Sequence, residues 1–433
     1  MSIYTKQQRH IPVYPNLDQL RNQAKDLLRD VRRGDPLAIE EFAHNLPKTV
    51  RPEDAILADA QLALARSYGI KSWPRLVQAC EVIDAIWKDD IEKLRDLVTK
   101  NPNLIHENAR GTVKCNWGRP MSYAANVGRN EIIKMLADLG ATDFVFAIER
   151  AMLQGKIDTA DLLYAFMGSP PAPEGALAGP AYTLNTAGTA FALRIGARVV
   201  DENGKRLAPV DVVLESDSRR PEAKHAILEM YVANGLELPD TPTMAFHRGR
   251  IDLLEEHLRR DPHLLSRTFS HEEIFPPEMG CHNEIEATQG TPLKGTTLLH
   301  MCVDYDEFEI AEWLIAKGAD INARAAVDED GFGGHTALFA TVVSQPNFWM
   351  NYQNREQVAP FTRLLLDHGA DVTVRASLRK QLHPGYAPRY DTEKLYEYRN
   401  ITALEWGRQF HAKVFVSDPA MRLIEEAEKK IPD

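Results

Sequence analysis

The chain has 433 residues, 44% of them hydrophobic, and a formal net charge of −11. That length admits two or three ordinary domains or one long repeat array. The negative balance disfavours a sequence-independent hold on nucleic acid, which relies on clustered Lys and Arg. No apolar run nears the roughly 18 residues of a membrane span. The opening MSIYTKQQRH leads into no apolar signal region, so we expect a cytoplasmic protein. Cys80, Cys115, Cys281 and Cys302 lie far apart with no C-x-x-C, which fits free thiols in a reducing compartment.

In chain order, helical spacing appears first at Leu17, Leu20, Ala24, Leu27, Leu28 and Val31. Gly34-Asp35-Pro36 stops that helix, and Pro36 suits the first turn of the next. A third helix is predicted up to Gly69, and a fourth behind a Ser72 cap with Pro74 in its first turn. We expect residues 1–78 to form a helical N-terminal cap and 79–427 to form an array of repeats.

The repeats are written plainly in the sequence. TTLLHMCVDYDEFEIAEWLIAKGADINA (296–323) has a partner in 336–373 and an earlier version in RPMSYAANVGRNEIIKMLADLGAT (119–142). Each reads as a first helix with a T-x-L-H-like start, a turn, a second Leu-rich helix and a Gly-Ala-Asp-like end. Looser copies occupy 88–107, 144–168, 208–236, 241–265 and 401–427. The extra length falls in four segments, 266–295, 325–334, 346–358 and 375–400, which we expect to be inserted fingers, because insertions in a repeat array map to loops.

The pattern resembles the ankyrin repeat, whose unit is about 33 residues. The last part of the chain, with SHEEIFPPEMGCH, LLHMCVDYDEFEIA and DGFGGHTALF, is similar to a group of bacterial ankyrin-repeat proteins. The resemblance implies an all-α solenoid of stacked helix pairs, and a partner-binding role rather than a particular reaction.

Within the unit, Thr297 suits a helix cap, His300 a bond to neighbouring backbone, Cys302 buried packing, and Gly318 and Gly369 the ends of second helices. In the ankyrin frame, residues just before the turn face a concave groove, as do finger residues just before the Thr. That places Asn126, Val127, Glu215, Ser216, His247, Arg248, Asp304, Tyr305, Phe332, His335, Gln409 and Phe410 along one hollow.

Two readings of this row stay open. In the first, the groove and its aromatic fingers bind a protein or peptide partner, or a small polar or anionic ligand. In the second, His247, Asp304 and His335 serve as acid–base groups or metal ligands of a hydrolase or lyase. There Glu215, Arg248, Tyr305 and Phe332 contact the ligand, with Arg248 orienting an anion. His271 and His282 in the 266–295 finger are candidate ligands for a divalent metal, although their spacing matches no recognised motif. Asp328, Asp330 and Gly331 hint at a calcium loop but lack the closing Glu. RASLRK (375–380) reads as a solvated basic turn. We expect a monomer with no nucleic acid and no membrane.

Overall fold

The computed structural model describes residues 9–112, 116–281, 290–386 and 390–430. It is predominantly helical, and the chain forms two compact units, Met1–Ala172 and Pro173–Asp433. No described helix is long and apolar enough to cross a membrane.

The N-terminal unit begins with four helices, Leu17–Arg32, Pro36–Asn45, Leu57–Ser67 and Trp73–Lys88. Asn16, Asp35 and Ser72 each accept a bond from the amide three residues on, satisfying an otherwise orphaned helix-end donor. Leu20 and Ala24 of the first helix share a buried cluster with Leu64, Leu76 and Cys80. Helix Trp73–Lys88 therefore packs with the helices before it. The boundary between the two units lies after Ala172, in the Pro-rich stretch SPPAPEGA. Helix pairs follow in the same unit at Pro120–Val127 with Asn130–Asp138, and at Phe144–Leu153 with Ile157–Phe166.

The C-terminal unit pairs Val210–Glu215 with Pro221–Ala233, Pro242–His247 with Ile251–Arg260, and Leu298–Tyr305 with Phe308–Ala316. First helices Pro242–His247 and Leu298–Tyr305 are short and almost wholly buried. In the 296–323 unit the Thr297 hydroxyl and His300 Nδ1 meet at 2.9 Å, and the His300 Nε2–H donates to the His335 carbonyl at 3.1 Å. The repeat histidine thus closes its own helix start and ties it to the next repeat. Cys302 is fully buried, and Gly318 and Gly369 take φ of 93° and 86° behind their helices.

The inserted segments are more ordered than fingers. Segment 346–358 was expected to be a loop but contains most of helix Gln345–Tyr352, started by the Ser344 cap and Pro346. Segment 375–400 carries an antiparallel hairpin, β1 (Ala376–Lys380) and β2 (Tyr396–Ile401), a small addition to a predominantly helical fold. RASLRK is therefore a strand, with Ala376, Leu378 and Lys380 on its buried face. The Val327–Gly333 turn joins this hairpin through a bridge from Gly333 to Ser377. Asp328 and Asp330 bind Arg379 at 2.6 and 2.8 Å, which occupies the carboxylates suggested for calcium. Segment 266–295 holds helix His271–Ile274 and is anchored by buried Phe269 and Phe275.

Candidate functional site

In the C-terminal unit several of the residues before the turns are buried. Asp304 and Tyr305 end helix Leu298–Tyr305 and are buried, as are His247, Phe332 and His335. Arg219, in the link after helix Val210–Glu215, donates to the Asp304 carboxylate at 2.9 Å and to its carbonyl at 2.7 Å. A third donor of the same guanidinium reaches the Ser216 carbonyl. Arg219 and Lys224 lie 4.5 and 4.3 Å from the Tyr305 ring centre, where its negative π-face attracts cations. The Tyr305 hydroxyl donates to the Leu214 carbonyl at 3.0 Å.

Beside it, Glu307 takes Lys224 at 3.0 Å and His225 at 2.8 Å. Burial raises the Glu307 pKa, yet Lys224 and His225 bring it below its ordinary value, so this carboxylate stays ionised. Burial works against the charge on Arg219, and the adjoining Asp304 more than restores it. Lys380, on the buried face of β1, is lowered to about 8 by burial, against the pull of Asp304. The chain's own insertions meet here too. The Trp349 indole donates to the Asp217 carbonyl at 2.7 Å, and the Tyr386 hydroxyl to the Asp217 carboxylate at 3.4 Å.

The proposed acid–base set does not assemble. The His247 Nε2–H donates to the Ile274 carbonyl at 2.9 Å, and the His335 Nε2–H to the Pro292 carbonyl at 3.0 Å. Carbonyls only accept, so both imidazoles hold the Nε2–H tautomer. Burial lowers the His247 pKa well below its usual value and that of His335 to about 3, so both are neutral core groups. Asp304 is held by Arg219, and none of the described hydrogen bonds joins any two of the three. The physical reason is that His247 and His335 are bonded into the 266–295 insertion, whereas Asp304 is claimed by Arg219 of the 216–220 link.

The remaining residues divide similarly. Arg248 donates through Nε to Glu229 at 2.6 Å. Glu215 is half-buried, at the end of its helix, and its charge helps raise the pKa of Cys281, which burial raises most. Phe332 is covered by Arg379 and Arg399, at 4.8 and 4.2 Å from its ring. His271 opens helix His271–Ile274 and packs on Phe275, whereas His282 lies outside the described residues. Among the described residues no three His, Cys, Asp or Glu side chains are grouped to hold a metal. Arg219, Lys224, Glu307 and Lys380 were missed. The arginine and lysine of SRRPEAKH sit off the repeat pattern, and no sequence signal marks them as buried.

The N-terminal unit presents the open counterpart of this row. Tyr14 stacks on Trp87 at 5.2 Å, Trp87 on Trp117 at 6.2 Å, and Trp117 tilts on Tyr123 at 4.8 Å. Trp87 stands at the end of helix Trp73–Lys88, and Trp117 precedes helix Pro120–Val127. Arg110 and Arg150 lie 6.0 and 5.9 Å over Trp117, and Arg150 donates to Asn126 at 2.9 Å. Trp87 and Trp117 are half-buried, and Tyr14 is exposed.

No curated protein matches the chain. Among solved structures it is similar to the human ASB11 ankyrin repeat domain, at 15% identity and a TM-score of 0.27, covering 72% of this chain and 99% of that one. Residues 294–326 match the ankyrin repeat family model, a span of one repeat unit. The chain therefore carries an ankyrin repeat at 294–326, the unit that holds Asp304, Tyr305 and Glu307.

Proposed function

We propose that this is a binding protein, and that a protein or peptide partner docks on the aromatic row of the N-terminal unit. The observation that carries the reading is the continuous stack Tyr14–Trp87–Trp117, half-open to solvent and flanked by Arg110 and Arg150. Trp, Tyr and Arg are the residue types that dominate binding energy at interfaces. Flat rings offer large apolar contact at little entropic cost, and the guanidiniums favour a carboxylate-bearing segment. The ankyrin repeat at 294–326 supports a binding role in general terms. A monomeric, cytoplasmic protein fits the same reading. The hydrolase or lyase reading through His247, Asp304 and His335 has no comparable support, since both imidazoles are sealed and bonded to carbonyls.

The test is selection of displayed peptides on the whole protein, followed by affinity measurement on Trp87→Ala and Trp117→Ala. Selected peptides are expected to be acidic and to carry an aromatic residue. Each substitution should weaken them at least tenfold while circular dichroism stays unchanged. Equal affinity for both folded variants overturns the reading.

A further inference from the structure

A cavity of about 210 Å³ lies in the C-terminal unit, lined by two neighbouring repeats and by the inserted helix Gln345–Tyr352. Drug-sized sites begin near roughly 300 Å³, so this one suits a smaller molecule. One wall is apolar: Trp349 and Met350 from the inserted helix, and Phe361 from helix Pro360–Asp367. Its charged groups include Asp306 and Arg355; Thr341, Ser344 and Asn347 line it too, but are engaged in hydrogen bonds of the protein. Arg219 also reaches the cavity, but its guanidinium is committed to Asp304.

Asp306 holds the turn of the 296–323 repeat at φ 61°. The same turn position carries Gly128, Gly155 and Gly249 in three other units, at φ 75°, 63° and 65°. Glycine adopts this conformation freely, whereas an L residue is strained in it, aspartate less than most. Asp89 occupies the position in a further unit, so the strain alone does not mark a site; Asp306 is the one that lines this cavity. Its carboxylate is open to solvent yet closely surrounded by protein, and burial followed by Glu307 raises its pKa to about 6. None of the described hydrogen bonds satisfies that carboxylate. The exposed Arg355 guanidinium enters none of the described ion pairs and acts on Asp306 through its charge. A carboxylate and a guanidinium thus share one small cavity with an aromatic wall.

We propose that this cavity binds a small zwitterion with an apolar tail, a free aromatic or branched-chain amino acid. Its ammonium sits against Asp306, its carboxylate against Arg355, and its side chain on Trp349, Met350 and Phe361. The amine and acid at one end match the two opposite charges, and the aromatic wall supplies the apolar contact. The inference does not depend on the N-terminal row, and the Trp117→Ala protein is expected to bind the amino acid normally.

Isothermal titration of the whole protein with L-phenylalanine and L-leucine tests this. At least one should bind, and N-acetyl-L-phenylalanine and L-phenylalanine amide, each lacking one charge, should bind at least tenfold more weakly. Asp306→Asn keeps a residue that tolerates the left-handed turn, and Arg355→Gln changes an exposed side chain, so both variants should fold. Each should lose at least tenfold in affinity. No heat with either amino acid at millimolar concentration overturns the proposal. So does equal binding of the blocked compounds, or unchanged affinity in both folded variants.

Discussion

The Arg219 guanidinium meets the Asp304 carboxylate at 2.9 Å, with 2% and 0% of the two side chains exposed. This pair fastens the 216–220 link to the end of helix Leu298–Tyr305. Removing one member leaves the other charged and buried, which costs about 3–5 kcal/mol, whereas replacing both by apolar residues often costs little. Arg219→Ala is therefore expected to lower unfolding stability by about 3–5 kcal/mol in urea. The double change Arg219→Met with Asp304→Leu should recover much of that loss. A double variant no more stable than Arg219→Ala would show that the pair does more than neutralise a buried charge.

The buried histidines set an acid limit. His300 is lowered to about 4 and His335 to about 3, both chiefly by burial. Their folded pKa values lie below the unfolded value near 6.5, so the unfolded chain binds more protons as pH falls. The stability they confer is present above about pH 6.5 and is lost as pH falls from there towards 4 and then 3, at roughly 1.4 kcal/mol per unit of depression. Urea midpoints measured between pH 7 and pH 4 should fall, and His335→Gln, which cannot take up that proton, should flatten the slope.

Arg379 holds the 327–333 turn on the β hairpin through Asp328, Asp330 and Phe332. These groups are partly exposed, so Arg379→Ala is expected to cost only about 1 kcal/mol globally. Its local effect should be larger, with faster amide exchange in 327–333 and in β1 than in helix Leu298–Tyr305. Uniform exchange across the unit would show that the turn does not open separately.

Gly249 and Gly140 offer a controlled contrast. Both have positive φ, 65° and 93°, but a Cβ at Gly249 would run into the His225 ring, and one at Gly140 meets nothing within 4 Å. Gly140→Ala should cost about 1–2 kcal/mol from backbone strain alone. Gly249→Ala should cost more and displace His225 from Glu307, visible as a changed His225 imidazole signal in NMR.

The repeat frame was legible because each unit repeats the same local rules: Thr297 at a helix start, His300 in the first turn, and Gly318 and Gly369 at helix ends. The Ser344-Gln-Pro start of helix Gln345–Tyr352 was also present in the sequence, but aromatic content drew attention to a surface finger instead. RASLRK alternates as a strand does, yet its charges suggested a solvated turn. Lys380 was placed inside by pairing with β2, which no local pattern announces.

The sequence by itself determined where the helices begin, end and repeat, because capping, turn conformation and apolar spacing act over a few residues. Tertiary structure decided which side of those repeats meets solvent. The 266–295 insertion closes over His247, and Arg219 and Lys224 cover Asp304 and Tyr305, while Tyr14, Trp87 and Trp117 of the N-terminal unit remain open or half-open. Burial depends on what packs against a side chain from distant parts of the chain, and so do the charge states of Glu307, His335 and Asp306.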